Sequence, residues 1–306
     1  MKIAVIVNPN AGRAGRRRDD ASFRRAVESL GGSVEFYYTK ERGDAARIAS
    51  KLPDDIDAVG VVGGDGTVHE TANGLLPRMI PLFVIPCGAG NDLASLVACP
   101  RTPEELAGVL DDGMGASLDV LRFGDRYCVN SAGLGFEGMV NRYSQTISRV
   151  RGHARYMIAL FKSLKNHVCP HFEITASSGE TISGRRLLVS VGNGHRTGGA
   201  FYMNPDAVPD DGVLDVCVID PMSRVRMLGL LPRSFNGSHP AHPKVRMLRA
   251  ESISIASDGW YPMHIDGEYH DGRAERLDIS VVPGALRVLC KRSGPNKLHN
   301  QLTRII

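Results

Sequence analysis

The sequence predicts an α/β protein in two parts: a doubly wound N-terminal domain on a parallel sheet, then a β-sandwich-like C-terminal domain. Three observations carry that expectation. At 306 residues the chain is longer than the roughly 250 to 300 residues at which a single core stops growing. In its first part, apolar strand-like runs alternate with helix-compatible ones, the pattern of a parallel sheet covered on both faces. Further on, the apolar runs become short and are separated by turn residues, as in a sandwich or barrel.

In the first part, strands are expected at Lys2 to Val7, Ser33 to Thr39, Asp57 to Val62 and Pro81 to Ile85. Helices are expected near Asp19 to Leu30, Asp44 to Leu52, Thr67 to Leu76, Asp92 to Val97 and Pro103 to Asp111. The last opens on Thr102-Pro103-Glu104-Glu105, a capping box with proline at the first helical position. This order makes the N-terminal domain, residues 1–122, Rossmann-like, with 291–306 a candidate to rejoin it. The second domain, 123–290, continues the strand signals that start at Ser117 to Phe123 and Arg126 to Ser131. Others follow at His171 to Ala176, Arg185 to Val191, Val213 to Ile219, Ser252 to Ser257, His264 onward, Leu277 to Val282 and Leu286 to Cys290. A helical insert from Glu137 to Lys165 interrupts them, and its Tyr156 to Phe161 stretch is apolar nearly all round, which favours burial or a cleft wall.

Hydrophobic residues at 42% and charged residues at 23% exclude a disordered chain. The net charge of +4 does not point to nucleic acid. Basic residues cluster at Arg13 to Arg18, Arg142 to Arg155, Lys244 to Arg249 and Lys291-Arg292. Each cluster is either a solvated face or a seat for a nucleotide or anionic lipid. The six cysteines show no C-x-x-C spacing and read as small buried side chains in a reducing compartment. Ile3 to Val7 is too short for a signal-peptide core. No run approaches the roughly 20 apolar residues of a membrane span. A cytoplasmic protein with peripheral membrane association is expected, and a homodimer is left open.

The most telling motif is Gly63-Gly64-Asp65-Gly66-Thr67, between the apolar run Ala58 to Val62 and a helix-compatible run from Val68. Glycines at a strand-to-helix turn let the backbone approach a phosphate, and the N–H groups of the helix's first turn point at it. A carboxylate at the centre, Asp65, calls for a divalent cation or for backbone hydrogen bonds that compensate its charge. Other strand ends carry Asn8-Pro9-Asn10-Ala11-Gly12, Thr39 and Pro86-Cys87-Gly88-Ala89-Gly90-Asn91-Asp92, loop chemistry that would line the same sheet edge. No phosphate-loop lysine is present, so magnesium, helix N-termini and arginines such as Arg13 or Arg16 would meet the phosphate charge. Asp65, Asp92 and Asp119 are candidate magnesium residues, Asp92 being equally a helix N-cap. His264-Ile265-Asp266-Gly267-Glu268 is strand-like; if extended, it sets both carboxylates on one face, either able to take a proton in phosphoryl transfer. A turn is the alternative. Asp206, Asp210, Asp211 and Asp215 crowd one segment, a tight turn or a hard-cation site.

Asn8 to Gly12, Gly63 to Thr67, Gly88-Ala-Gly-Asn-Asp92, Asn130-Ser-Ala-Gly-Leu-Gly-Phe136, Asn193-Gly194, Asp210-Asp-Gly212 and Asp266-Gly-Glu268 occur in this order. In this the chain resembles the diacylglycerol kinase catalytic superfamily and its bacterial lipid kinases, relatives of sphingosine and ceramide kinases. The resemblance implies an ATP-dependent kinase that phosphorylates a hydroxyl of a diacylglycerol-like or sphingoid-like lipid, with ATP in a cleft between the domains. It implies ATP contacts from Asn8, Pro9, Asn10, Ala11, Gly12, Thr39, Gly64, Asp65, Gly66, Thr67, Val68, His69 and Glu70, next to Gly63 and Asn91 of the same loops. Ala89 stands where the family usually has Thr or Ser. The resemblance further implies magnesium organised by Asp65, Asp92 and Asp119, a structural magnesium held by Asp211 with carbonyls near Val208 and Val213, and Asp266 or Glu268 as base. Two other readings stay open: a kinase of the NAD kinase or phosphofructokinase type with a soluble acceptor, and a non-catalytic nucleotide or lipid binder.

Overall fold

The computed structural model describes residues 1–12, 20–147, 150, 152–273, 276–291 and 302–306. Arg13 and Arg16, expected near phosphate, lie outside the described residues, as do Arg17, Arg18 and Arg292. In chain order the elements begin β1 (Lys2–Val7), α1 (Asp20–Glu28), β2 (Ser33–Tyr38), α2 (Asp44–Ser50), β3 (Ala58–Gly63) and α3 (Asp65–Leu75). They continue with β4 (Leu82–Pro86), α4 (Leu93–Leu96), α5 (Pro103–Asp112), β5 (Met114–Phe123), β6 (Arg126–Cys128), β7 (Ser131–Gly135), α6 (Phe136–Thr146) and α7 (His153–Asn166). Next come β8 (His171–Ala176), β9 (Thr181–Arg185), β10 (Leu188–Gly192), β11 (Leu214–Ile219) and α8 (Arg224–Asn236). The chain closes with β12 (Val245–Ala250), β13 (Ser252–Ser257), β14 (Tyr261–Ile265), β15 (Glu268–Gly272), β16 (Leu277–Leu289) and β17 (Thr303–Arg304).

Two compact units share these elements. The first gathers Met1–Val120, Pro209–Asp211 and Pro283–Ile306. Its sheet runs β2-β1-β3-β4 in parallel, in the register Val5 to Phe36, Val5 to Gly60 and Val61 to Val84. Val288 of β16 pairs in parallel with Leu82. Residues of β1 and β3 are almost all fully buried, as expected of strands with helices on both faces. Their Ile and Val side chains suit a strand because branching at Cβ restricts them least there. At α5 the Thr102 hydroxyl accepts the Glu105 N–H at 3.3 Å, and Glu105 answers by accepting the Arg101 N–H at 2.7 Å. The C-terminal residues return to this core: Ile305 and Ile306 pack on the cluster of Ile3, Val5, Phe83 and Leu110. The Ile305 N–H bonds the Gly113 carbonyl at 2.7 Å.

The second unit comprises Leu121–Val208 and Gly212–Val282. An antiparallel sheet of order β12-β11-β10-β7-β14-β15 faces a second layer, in which β13 pairs with β8 and with the first half of β16, and β8 with β9. Leu134, Phe172, Ile174, Val191, Val216 and Ile255 are among the residues that fill the space between the layers. A separate cluster lies among α6, α7, α8 and the six-stranded sheet, around Phe136, Leu160, Phe201 and Leu230.

Three expectations need correction. The insert expected as one helix is the pair α6 and α7. Of the two expectations for its Tyr156 to Phe161 stretch, burial all round fails, since Phe161 is 56% exposed and Ile158 45%, while the cleft wall holds at Tyr156 and Leu160. The strand-like reading of His264 to Glu268 also fails. Asp266 and Gly267 form the two-residue turn of the β14–β15 hairpin, with φ of +46° and +82°, and Ile265 pairs with Glu268 across it. Positive φ at both central positions belongs to the primed hairpin turns, for which Asp-Gly is a preferred sequence.

Candidate active site

In the first unit β3 delivers Gly63 and Gly64 to its carboxyl end, and α3 starts at Asp65 with Gly64 as N-cap. Glycine is required here by contact. A Cβ on Gly63 would lie 2.6 Å from the Thr67 Cβ, and a Cβ on Gly88 would lie 2.6 Å from the Gly64 Cα. Two loops from successive strands therefore touch backbone to backbone. Gly12, at φ +53°, closes against the same place, where a Cβ would stand 2.1 Å from the Cys87 carbonyl oxygen. At Gly66, by contrast, a Cβ would meet no atom within 4 Å, so the first turn of α3 borders open space. An anion beside it would gain from the helix dipole.

Asp65 joins the loops. Its carboxylate accepts the backbone N–H groups of Asn91 at 2.9 Å and Asp92 at 2.6 Å. Asn91, in the left-handed region at φ +52°, folds its own loop by accepting the Gly88 N–H and donating to the Gly88 carbonyl, both at 2.9 Å. Asp92 occupies the N-cap position of α4, but its side chain makes no capping bond. Asn8 binds the Thr67 hydroxyl at 3.2 Å and accepts the Asn10 N–H at 3.0 Å, so the Asn8–Gly12 turn is tied to α3. Thr39 is buried, its hydroxyl 3.3 Å from the Val7 carbonyl. Pro9 and Ala11 are half-buried, and Ala89 is exposed on its loop. Val68 and His69 are buried in α3. Glu70 turns away to α2, accepting the N–H groups of Gly43 at 2.8 Å and Ala45 at 3.2 Å. Asp119 is held elsewhere in this unit: it accepts the Gly284 N–H at 2.8 Å, and its own N–H binds the Pro209 carbonyl at 2.7 Å. Among the described residues no three His, Cys, Asp or Glu side chains converge as metal ligands. Val208, Asp211 and Val213 are each half-buried on one turn.

In the second unit Asp266 is 9% exposed, and its carboxylate accepts four donors. These are the backbone N–H groups of Val129 at 2.7 Å, Asn130 at 2.9 Å and Ser131 at 3.0 Å, and the Cys128 thiol at 3.2 Å. Burial first, then the charge of Asp266, pushes the Cys128 thiol well above its ordinary pKa, so it stays protonated and donates. The Asp266 N–H returns a bond to the Ser131 carbonyl at 2.9 Å. Asp266 is thus a nest-bound anchor with little acceptor capacity left. Glu268, two residues on, opens the edge strand β15 and is half-buried.

The cleft wall expected at Tyr156 to Phe161 is present, with Tyr156 and Leu160 on it, but sequence reasoning missed the other walls. A cavity opens among α6, α7, α8 and the sheet, walled by Phe136, Leu160, Leu187, Phe201, Met227 and Leu230 among others. The polar side chains on it are Glu137, Tyr156, Thr197, Ser234 and His239. Helix α8 supplies Met227, Leu230, Leu231 and Ser234 at helical spacing, a signal interrupted by Pro232 inside the helix. Burial lowers the pKa of the His239 imidazole despite the raising effects of the Met203 carbonyl and Glu137.

Comparison with known proteins follows this division. Residues 2–123 match the family model described as the diacylglycerol kinase catalytic domain. Residues 130–290 match the YegS C-terminal NAD kinase beta sandwich-like domain. A diacylglycerol kinase of Mycobacterium tuberculosis (strain CDC 1551 / Oshkosh) is 29% identical over 300 residues, covering 96% of each chain. One from Staphylococcus saprophyticus is 27% identical over 269 residues, covering 87% of this chain and 88% of the other. The crystal structure of a diacylglycerol kinase from Bacillus anthracis str. Sterne shares the fold with a TM-score of 0.69 at 24% identity, covering 95% of this chain and 97% of that one. With both of its parts matched in order, the chain belongs to the diacylglycerol kinase family, in the branch that joins the catalytic domain to a YegS-type C-terminal sandwich.

Proposed function

We propose that the chain transfers the γ-phosphoryl group of ATP to the hydroxyl of a diacylglycerol-like or sphingoid-like lipid. The observation that carries the lipid acceptor is the cavity of the second unit, whose walls are mostly aliphatic and aromatic side chains from three helices and a sheet. A sugar phosphate would find almost no partners on such a wall, whereas an acyl chain gains about 0.8 kcal/mol per buried CH₂.

In the first unit the meeting of Gly64 and Gly88 makes a cradle that any Cβ would fill, next to the first turn of α3. Asn8 to Gly12, Thr39, Gly63 to Glu70, Ala89 and Asn91 are its nucleotide residues, Glu70 acting through α2 and Ala89 through its backbone. Asp65 and Asp92 offer carboxylate oxygens at this cradle, a donor chemistry that suits magnesium. Bound magnesium would supply neutralisation of the phosphate charge. Asp119 would act one layer further out, through the Gly284 turn. Asp211, with the carbonyls of Val208 and Val213, is the candidate for a bracing cation.

Between the two carboxylates of the hairpin we assign the base to Glu268. Asp266 is committed to four donors, so it positions the Val129–Ser131 segment and Glu268 takes the proton. The lipid oxygen forms a bond to the γ-phosphorus, the bond from that phosphorus to the β–γ bridging oxygen breaks, ADP leaves with the electron pair, and the hydroxyl proton passes to Glu268.

The acceptor would come from a bilayer. Helices α7 and α8 contain no Asp or Glu, and carry exposed Lys162, Lys165, Arg224, Arg226 and Arg233 beside exposed Ile158, Phe161, Val225 and Leu228. A basic and partly apolar face of this kind suits anionic membrane. No helix among the described residues is long and apolar enough to cross one.

The test is magnesium-dependent transfer of labelled γ-phosphate from ATP to a lipid panel in mixed micelles, with NAD as a soluble acceptor and Glu268→Gln as control. A labelled lipid that is absent with the variant is expected. Labelled NAD without labelled lipid would overturn the proposal.

A further inference from the structure

The cavity of the second unit is lined by a buried carboxylate that has no assigned work. Glu137, at the start of α6, is 6% exposed. Its Oε2 lies 3.2 Å from the Ser190 hydroxyl, which donates to it, and 3.4 Å from Nε2 of His264. Its Oε1 is buried with no hydrogen-bond partner. Other polar lining groups are engaged: the Thr197 hydroxyl binds that of Ser131 at 2.9 Å, and the Ser234 hydroxyl donates to the Leu231 carbonyl at 2.7 Å. His239 places Nε2 3.1 Å from the Met203 carbonyl, and its ring also faces the Arg233 carbonyl.

A largely apolar wall with one unanswered carboxylate oxygen is complementary to a chain that carries a donor. An amide would bring a carbonyl in need of a donor that Glu137 does not supply. A hydroxyl brings one O–H and leaves only weak acceptor needs of its own. Leaving a buried acceptor unpaired is costly, whereas a hydrogen bond to a charged group is among the stronger polar interactions in a protein. We infer that this cavity selects an acyl chain bearing a hydroxyl group, whose O–H is received by Oε1 of Glu137. The inference rests on the lipid-kinase reading above and adds the substrate's chain chemistry to it.

The test is equilibrium binding without ATP, so that catalysis plays no part. Monoacylglycerols carrying plain stearate, or stearate hydroxylated near the carboxyl end, at mid-chain or at the terminus, would be titrated against the whole protein. At least one hydroxylated chain should bind about 10-fold more tightly than plain stearate, the size of one good hydrogen bond. With Glu137→Leu the preference should vanish, while plain stearate binds within about threefold of its former affinity. If the leucine variant does not fold, Glu137→Gln, which keeps the shape and halves the acceptor capacity, should reduce the preference. Equal binding of plain and hydroxylated chains, or a preference that survives in both variants, would overturn the inference and leave the lipid reading standing. Failure of every chain to bind would overturn both.

Discussion

The backbones of Gly64 and Gly88 meet so closely that a methyl group on Gly88 would stand 2.6 Å from the Gly64 Cα and 3.0 Å from Oδ1 of Asn91. Neither loop can then retreat alone, because Asp65 holds Asn91 and Asp92 by their N–H groups. Gly88→Ala should separate the loops at a cost of about 1–3 kcal/mol, the usual range for overpacking. Nucleotide affinity, measured by calorimetry, should fall more than the melting temperature, since the displaced atoms are those proposed to face phosphate.

Asp65→Asn keeps the size of the side chain but presents an amide N–H₂ in place of one oxygen that receives a backbone N–H. One loop bond is lost, and two donors are left pointing at each other. We expect kcat/KM to fall by roughly 100-fold or more, a brace of this kind acting through near-attack geometry. ATP titration of the variant should show weakened binding.

The two carboxylates of the β14–β15 hairpin should separate cleanly under mutation. Asp266→Asn leaves buried N–H donors facing an amide and should lower stability by about 1–3 kcal/mol. Glu268→Gln should leave the melting temperature unchanged and cut kcat by roughly 100- to 10,000-fold, the range of general-base removal. Thermal denaturation and steady-state kinetics on both variants decide the assignment: normal turnover with Glu268→Gln removes it.

His239 predicts a pH effect on stability. Burial holds its pKa below the ordinary 6.5. The unfolded chain therefore binds more protons than the folded one between that value and the depressed native pKa, and stability rises with pH across this window. On acidification from neutrality the melting temperature should fall below about pH 6.5. His239→Gln should flatten that part of the profile.

Phe161 and Val225 are 56% and 79% exposed on helices that carry no acid. Replacing both with Asp should lower binding to anionic vesicles about 10-fold or more by sedimentation, through lost apolar insertion and reduced positive charge. Turnover on a short-chain acceptor dissolved in water should be unaffected.

Most of the first unit was legible because its signals are local. Buried Val and Ile runs marked its strands, and the Thr102 capping box marked α5. The glycine loops were legible for the same reason, but the bonds from Asp65 to Asn91 and Asp92 were not, since nothing within either loop encodes its partner. In the second unit the Asp266-Gly267 pair carried a hairpin signal that the alternation around it obscured. The donors that occupy Asp266 lie 135 to 138 residues earlier. Pro232 hid α8, and with it one wall of the cavity, because a proline inside an apolar period reads as a stop. Pro283-Gly284 divided what is one strand, β16, into two expected ones.

The first unit is assembled from residues 1–120, 209–211 and 283–306. During synthesis its glycine loops are made early, yet the hydrophobic cluster of this unit lacks Leu289, Ile305 and Ile306 until residues 283–306 emerge. The core under those loops is therefore completed late in the life of the nascent chain. A product that stalls before residue 283 would carry every residue of the glycine loops on an unfinished core.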